Sequence, residues 1–206
     1  MDKIICFGKN YLDHQVELGD KKVDKPIIFL KPPSILRQCS AWEQESHLSL
    51  TPKETHYECE LVLKLKQGGY QLSLGEAAQI IGWYTVGLDM TLRKLQLQLK
   101  NAGHPWTTAK VFKDSGVIGP WIDNINNSYK GNRIAFTLDN IRKQYENIDN
   151  MLFSPSELVA YASQFFPLCE GDVLFTGTPA GTGKVNNNST GIVQIEDYRY
   201  AVKWTN

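Results

Sequence analysis

The sequence predicts an α+β fold dominated by mixed or antiparallel sheet. Short runs of β-branched and aromatic residues, typical of strands, recur at 4–7, 27–30, 60–65, 134–138, 173–176, 192–196 and 200–204. Clear helix signals are few and far apart, which argues against a regular βαβ array. Only short polar joints interrupt the pattern, with no internal repeat, so we expect residues 1–206 to form a single domain.

Two helices are predicted from local chemistry. Ser154 is a suitable N-cap, Pro155 fits the first helical position, and Glu157 completes a capping box, so a helix should begin at Pro155. The second helix should run from about 91 to 100. Leucines at three- and four-residue spacing form one apolar stripe along it, namely Leu92, Leu95 and Leu99.

Composition excludes several classes of function. Lys plus Arg (22) equal Asp plus Glu (22), so the chain lacks the basic field that a nucleic-acid-binding protein needs. The apolar runs fall far short of the ~20 residues that span a bilayer, and the N-terminus lacks a secretory leader, so we expect a cytoplasmic protein without membrane contact. The cysteines are widely spaced, which indicates free thiols.

Three carboxylates are candidates for a metal site. In a strand, Glu58 and Glu60 would share one face, and Asp89 follows a probable strand over residues 81–86. Three carboxylates fill half of an octahedral Mg²⁺ shell and leave positions for water or a chelating substrate.

Ordinary structure explains the same pattern. Glu58 and Glu60 could lie on the solvated face of an edge strand, with Asp89 merely capping the next helix. His56 has the same strand parity, so a site of histidine and carboxylate for zinc or iron is a further alternative.

A histidine and a glutamate form a candidate acid/base pair. His14 and Glu17 are three residues apart, so one helical turn would bring the imidazole beside the carboxylate, as a general base requires. A solvated ion pair on an exposed helix is the alternative. The polar stretch at residues 19–25 is either an ordinary loop or a lid over this pair.

A glycine- and threonine-rich loop follows the strand at 173–176. It is not an ATP-binding phosphate loop, because five residues separate Gly177 from Gly183 and Val185 occupies the position of the metal-binding Ser or Thr. Its backbone N–H groups and hydroxyls can still hold a carboxylate, which makes Thr178 a candidate substrate contact, with an ordinary turn as the alternative.

Taken together, these segments resemble the fumarylacetoacetate hydrolase family, especially its short single-domain members that act as acylpyruvate hydrolases or oxaloacetate decarboxylases. The resemblance covers nearly the whole chain. It is carried by Gly8-Lys9-Asn10-Tyr11 with His14 and Glu17, Phe29-Leu30-Lys31-Pro32-Pro33-Ser34, Tyr57-Glu58-Cys59-Glu60-Leu61, Asp89-Met90-Thr91-Leu92-Arg93 with Gln96, Pro105-Trp106-Thr107-Thr108-Ala109-Lys110, Gly119-Pro120-Trp121, and Leu174-Phe175-Thr176-Gly177-Thr178-Pro179-Ala180-Gly181.

The resemblance implies a function for each of these groups. Glu58, Glu60 and Asp89 would bind Mg²⁺ or Mn²⁺, and His14 with Glu17 would form the acid/base dyad. Around the substrate it places four further residues: a catalytic Lys110, which would help to stabilise the enolate, and the substrate-binding Arg93, Gln96 and Thr178. It also implies a mostly β domain that forms homodimers.

The expected activity is cleavage of a carbon–carbon bond in a small 2-oxo acid. Acylpyruvate hydrolysis and oxaloacetate decarboxylation both pass through a metal-stabilised enolate, so the sequence does not separate them. An isomerase or hydratase of unsaturated 2-oxo diacids from aromatic breakdown is the closest rival, since the same dyad can shuttle protons. A non-catalytic, metal-binding dimeric relative is a remote alternative.

Overall fold

Strands dominate the structure, as the sequence predicts. The computed structural model describes residues 1–17, 19, 23–50 and 54–205. The strands in these ranges are β1 Ile4–Gly8, β2 Ile27–Lys31, β3 Leu36–Gln38, β4 Glu45–Ser49, β5 Thr55–Tyr57, β6 Cys59–Leu65, β7 Ile81–Asp89, β8 Thr91–Leu92, β9 Gly116–Ile118, β10 Ile122–Asp123, β11 Arg133–Leu138, β12 Ile141–Asn147, β13 Val173–Phe175, β14 Gly183–Lys184, β15 Thr190–Ile195 and β16 Tyr198–Thr205. The α-helices are α1 Leu12–Glu17, α2 Leu74–Ile80, α3 Arg93–Asn101, α4 Thr107–Lys110 and α5 Pro155–Ser163.

The largest sheet is mixed and carries most of the core. Its order in the described chain is β2-β1-β13-β6-β7-β9-β3, with β10 paired to β7. The pairs β1–β13 and β3–β9 are parallel, and the other pairs are antiparallel. Strand β6 lies in the middle and is buried at nearly every position, which explains its almost continuous apolar sequence.

A second sheet packs on the first and closes the core. Its order is β12-β11-β15-β16-β4. The ring of Phe136 on β11 lies 4.3 Å from that of Tyr57 on β5, and the hydroxyl of Tyr200 on β16 donates to the carbonyl of Val86 on β7. A short sheet, β14-β5-β8, joins the two near the ends of β6 and β7. The mostly β, α+β fold with mixed sheets is therefore confirmed.

The helix predicted at Pro155 is also confirmed. Ser154 caps α5, and its side chain and that of Glu157 form the reciprocal bonds of a capping box. Helix α2 has the same box between Ser73 and Glu76. Helix α2 was not predicted, although Ser73 and Glu76 carry the same capping signal in the sequence.

The region around residue 90 differs from the prediction. Thr91 and Leu92 pair with β5, so α3 begins at Arg93. Strand β7 extends to Asp89, which therefore ends a strand that was expected to stop at residue 86. Both differences arise because β5 and β9 supply hydrogen-bonding partners that are distant in sequence.

The prediction of free thiols also agrees with the structure. All four cysteines are free thiols, and Cys169 is exposed while the others are buried. Among the described helices, none combines the length and apolar character needed to cross a bilayer.

Candidate active site

One cavity collects the residues singled out from the sequence. Its volume is about 290 Å³, and it opens beside α1, α3 and the ends of β6 and β7. Every predicted site residue lines it: His14, Glu17, Glu58, Glu60, Asp89, Arg93, Gln96, Lys110 and Thr178. Their proximity makes this cavity the candidate active site.

The three carboxylates converge at the buried end of the cavity. Glu58 lies where the chain passes from β5 to β6, Glu60 lies within β6, and Asp89 ends β7 beside it. The amide of Asp89 donates to the carbonyl of Glu58 at 2.9 Å, which fixes the two strand ends together. One oxygen from each carboxylate lies within 4.8 Å of the others.

The alternative of a solvated edge strand does not hold. Strand β6 is flanked by β13 and β7, and Glu58, Glu60 and Asp89 are 5%, 1% and 1% exposed. Nor does His56 join the group, because the acidic cluster found in the described chain contains carboxylates alone. Burial and the nearby charge of Arg93 lower the pKa of His56.

A buried lysine and a partly buried arginine face this cluster. The ammonium of Lys110 donates to Glu58 at 2.8 Å, to Asp89 at 2.7 Å and to the Thr91 hydroxyl at 2.7 Å. Arg93 donates to the other oxygen of Glu58. Burial alone would raise the pKa of Glu58, but the charges of Lys110 and Arg93 outweigh it and hold that pKa well below its usual range.

Lys31 is a site residue that the sequence analysis left without a role. Its side chain is 1% exposed, with Nζ 2.5 Å from Oδ1 of Asp89 and a hydrogen bond to the carbonyl of Ser115 at 2.6 Å. A lysine at the end of an otherwise apolar strand indicates a buried charge. A buried charge requires a partner of opposite sign, so such a lysine predicts a buried ion pair.

Glu60 has a different environment from Glu58. Its Oε2 accepts a 2.7 Å hydrogen bond from the amide of Gly177. Burial and the negative charges of Asp89 and Glu58 raise its pKa well above the usual range, and Lys110 offsets this only in part. A divalent cation would relieve the repulsion among the three carboxylates.

The residues present fit a divalent metal with a preference for oxygen ligands. Oδ1 of Asp89 is buried and has no hydrogen-bond partner among the described residues, although the Lys31 ammonium lies 2.5 Å away. An acceptor left in this way is costly unless it has a ligand. Three carboxylates within reach of one ion suit Mg²⁺ or Mn²⁺.

The histidine–glutamate pair lies in the same cavity. Helix α1 brings Nδ1 of His14 to 3.0 Å from Oε2 of Glu17, while Oε1 of Glu17 accepts from the amide of Gly181 at 3.1 Å. Asn10 donates to the carbonyl of Thr176 at 2.8 Å and so ties the start of this helix to the end of β13. His14 is only 4% exposed, so the pair is not a solvated ion pair on a free helix.

The glycine loop passes between the acidic cluster and the dyad. Gly177 has φ +98°, and a Cβ there would lie 2.7 Å from the Cβ of Asn10, so this position requires glycine. The Thr178 hydroxyl donates to the carbonyl of Cys59 at 2.8 Å and accepts from Gln144 at 2.8 Å. Because its proton is already used, a substrate contact by this hydroxyl would have to be as an acceptor.

The outer part of the cavity is mixed in character. Arg93 donates to the amide oxygen of Gln96 at 2.6 Å, which leaves the Gln96 NH₂ available to face the cavity. Apolar walls come from Phe7, Phe29, Leu97 and Trp106, and Lys9 and Lys100 add positive charge. The segment 19–25, for which a loop or a lid was expected, lies partly outside the described ranges, which omit residues 20–22.

Comparisons with known proteins agree with this geometry. The family model "Fumarylacetoacetate (FAA) hydrolase C-terminal" matches residues 3–201. The oxaloacetate tautomerase fahd-1, mitochondrial, of Caenorhabditis elegans is 36% identical over 190 residues, covering 90% of this chain and 86% of the relative. The oxaloacetate tautomerase YcgM of Escherichia coli is 30% identical over 189 residues, which is 91% of this chain and 85% of that protein.

A solved structure is similar over the whole chain. Fumarylpyruvate hydrolase from Pseudomonas aeruginosa, in complex with Mn²⁺ and pyruvate, superposes with a TM-score of 0.90 at 32% identity. The match covers 100% of this chain and 90% of the hydrolase. That protein holds both a divalent metal and a small 2-oxo acid.

Proposed function

The chain belongs to the fumarylacetoacetate hydrolase family, whose metal-dependent enzymes act on small 2-oxo acids, and from this we propose that it converts its substrate through an enolate. Oxaloacetate tautomerisation is our first candidate reaction, and cleavage of an acylpyruvate is the second. The observation that carries the proposal is the meeting of His14, Glu17 and the three carboxylates in one cavity of about 290 Å³.

We assign metal binding to Glu58, Glu60 and Asp89. A Mg²⁺ or Mn²⁺ ion there would act as a Lewis acid on the keto oxygen and would orient the 2-oxo carboxylate. The apolar walls at Phe29 and Trp106 exclude water from the reacting carbons, which strengthens the electrostatic interactions in the site.

His14 is the proposed base. If the neutral imidazole carries its proton on Nδ1, that N–H donates a hydrogen bond to Glu17. Nε2 is then left with a lone pair that can take a proton from a substrate carbon or from water. The hydrogen bond between Gly181 and Glu17 holds the carboxylate in place, so the imidazole keeps one orientation.

Positive charge is available for the developing enolate. Burial lowers the pKa of Lys110, but the charges of Asp89 and Glu58 more than reverse this, so the pKa lies above its usual range and the ammonium stays protonated. We propose that it exchanges its Thr91 partner for a substrate oxygen. Arg93, Gln96 and Thr178 would then bind the rest of the substrate.

Two observations rank the reactions. Tautomerisation removes the proton from the enol oxygen and adds one to the neighbouring carbon, a transfer that the single His14–Glu17 dyad can carry out, and the relatives in worm and Escherichia coli are named for this reaction. Hydrolysis of an acylpyruvate requires the same dyad to activate water, and the similar Pseudomonas enzyme is a fumarylpyruvate hydrolase. Oxaloacetate decarboxylation, the other predicted reaction, would use the same enolate.

A substrate panel on metal-stripped protein, with and without added Mn²⁺, tests the proposal. A tautomerase accelerates loss of the enol form of oxaloacetate without releasing pyruvate. A decarboxylase releases pyruvate and CO₂ from oxaloacetate, and a hydrolase releases pyruvate from acetylpyruvate or fumarylpyruvate. If none of these compounds is converted in a metal-dependent way, the proposal is wrong.

Assembly and location remain part of the proposal. We propose that residues 1–206 form a single catalytic domain, in line with the family match over 3–201, and that the protein is a cytoplasmic homodimer. Light scattering in solution tests the dimer, and a mass corresponding to one chain would contradict it.

A further inference from the structure

Gln144 is the one buried residue of β12. It lies in β12 at the edge of the second sheet, where it is 1% exposed while Lys143 and Tyr145 beside it are exposed. Burying an amide is costly unless its hydrogen bonds are made. Its partners therefore explain why it is there.

All of these partners belong to the two segments that build the site. Its Oε1 accepts from the amide of Cys59 at 3.0 Å. Its Nε2 donates to the Thr178 hydroxyl and to the carbonyl of Pro179, both at 2.8 Å. Both donor positions of the amide are used, so its orientation is fixed.

The Cys59 contact reaches the acidic cluster directly. Cys59 is the residue between Glu58 and Glu60, so a hydrogen bond to its amide sets the position of the peptide that joins the two carboxylates. The Thr178 hydroxyl donates to the carbonyl of the same Cys59 at 2.8 Å. Gln144, Cys59 and Thr178 thus form a closed ring of hydrogen bonds.

The Thr178 side of this ring reaches the dyad. The glycine loop lies against β12 so closely that a Cβ on Gly181, which has φ +94°, would be 2.1 Å from the carbonyl oxygen of Lys143. The amide of Gly181 in turn donates to Glu17. The position of the loop on β12 therefore sets the position of the Glu17 carboxylate.

We propose that Gln144 is a positioning residue that holds the Glu58–Glu60 segment and the glycine loop at a fixed separation. It touches neither the metal ligands' side chains nor the cavity, so it acts through Cys59 and Thr178. The inference rests on the proposed function, because it concerns the alignment of the metal site with the His14–Glu17 dyad. A displacement of about 1 Å between reacting groups can cost on the order of a hundredfold in rate.

The test replaces the amide by an apolar side chain of similar length. In Gln144→Met we expect kcat/KM to fall about tenfold for the substrate that the wild type converts. The affinity for Mn²⁺, measured by calorimetry, should also fall about tenfold. The matched control is Gln194→Met, which removes an amide from β15 that donates to the carbonyl of Glu196, away from the site. Its values should equal those of the wild type.

A double-mutant cycle separates positioning from general loosening of the core. If Gln144 acts through the loop, Gln144→Met should lower kcat/KM about tenfold in the wild-type background and clearly less in a Thr178→Val background. The hydrogen bond between Gln144 and the Thr178 hydroxyl is already absent in that background. Equal losses in both backgrounds, or a kcat/KM or Mn²⁺ affinity that stays at the control value, would overturn the proposal.

Two safeguards keep the outcome decisive. If Gln144→Met does not fold, Gln144→Asn takes its place, because it keeps the amide but shortens its reach by one carbon. Turnover and Mn²⁺ affinity equal to those of the wild type in Gln144→Asn would overturn the proposal. If the wild type converts no substrate, the proposed function fails, and the Mn²⁺ titration of the variants alone decides the role of Gln144.

Discussion

The ammonium of Lys31 lies 2.5 Å from Oδ1 of Asp89, and both side chains are almost fully buried. Lys31→Met would leave Asp89 with Lys110 as its remaining cation among the contacts described. Removing one partner of a buried ion pair leaves an uncompensated charge, so the free energy of unfolding should fall by about 3 kcal/mol. Urea unfolding measures this loss.

The same variant carries an internal check. Mn²⁺ would restore positive charge beside Asp89, so it should stabilise Lys31→Met more than it stabilises the wild type. Lys113→Met, at an exposed lysine, should change the unfolding free energy by less than about 0.5 kcal/mol. An unchanged unfolding curve for Lys31→Met would contradict the structural role of this pair.

Glu60→Gln should abolish metal-dependent turnover while the protein stays folded. The amide oxygen can still accept from Gly177, but the negative charge that a divalent ion requires is gone. Calorimetry should show no Mn²⁺ binding in the range where the wild type saturates. The exposed Glu170→Gln serves as control, and full activity of Glu60→Gln would remove Glu60 from the metal site.

His14→Ala separates proton transfer from metal binding. We expect turnover to fall by roughly a hundredfold or more, the usual contribution of a general acid or base, with Mn²⁺ affinity unchanged. Steady-state kinetics and calorimetry on the same preparation give both values. If turnover survives, another residue carries the proton.

Acid should weaken the attachment of the N-terminus through Asp172. This fully buried carboxylate accepts from the amides of Asp2, Lys3 and Cys169 and pairs with the Lys3 ammonium at 2.8 Å. Burial opposes its ionisation, but the bonds from Lys3 and these amides prevail and lower its pKa. A carboxylate with a lowered folded-state pKa stabilises the protein above its unfolded value of about 3.9, and this stabilisation is lost as the pH falls through the folded value.

Asp172→Asn tests that dependence. The variant should be less stable than the wild type by about 1–3 kcal/mol at neutral pH, and the gap should narrow as the pH falls below about 4. Thermal unfolding from pH 3 to pH 7 measures it, with the exposed Asp2→Asn as control. A gap that is constant with pH would show that the charge of Asp172 does not stabilise the fold.

The site could be predicted where its chemistry is local in sequence. Spacing of two brought Glu58 beside Glu60 although Glu58 lies just before β6 and not within it, and spacing of three in a helix brought His14 beside Glu17. Strand β6 could be recognised because burial on both faces leaves a continuous apolar run. These signals involve residues only a few positions apart, which is the range over which hydrophobic and polar patterns predict structure.

Residues whose roles depend on distant segments could not be found in this way. Lys31 meets Asp89 only because the sheets fold the two segments together, and Gln144 lies in a polar edge strand without alternation. The short strand β8 displaced the start of α3 for the same reason, since its partner β5 is far away in sequence. Tertiary contacts override local propensity at such places.

The ion pairs of Lys31, Lys110 and Arg93 with Glu58 and Asp89 have a consequence for how the proposed metal would be loaded. They pair Glu58 and Asp89 with cations of the folded chain, so these two proposed ligands are held in place by the protein's own charges and metal loading need not be coupled to folding. Chelation should therefore yield a native apoprotein that can be reconstituted. Which ion it carries in a cell would then follow from the supply of metals there, because a cluster of carboxylates discriminates little between Mg²⁺ and Mn²⁺.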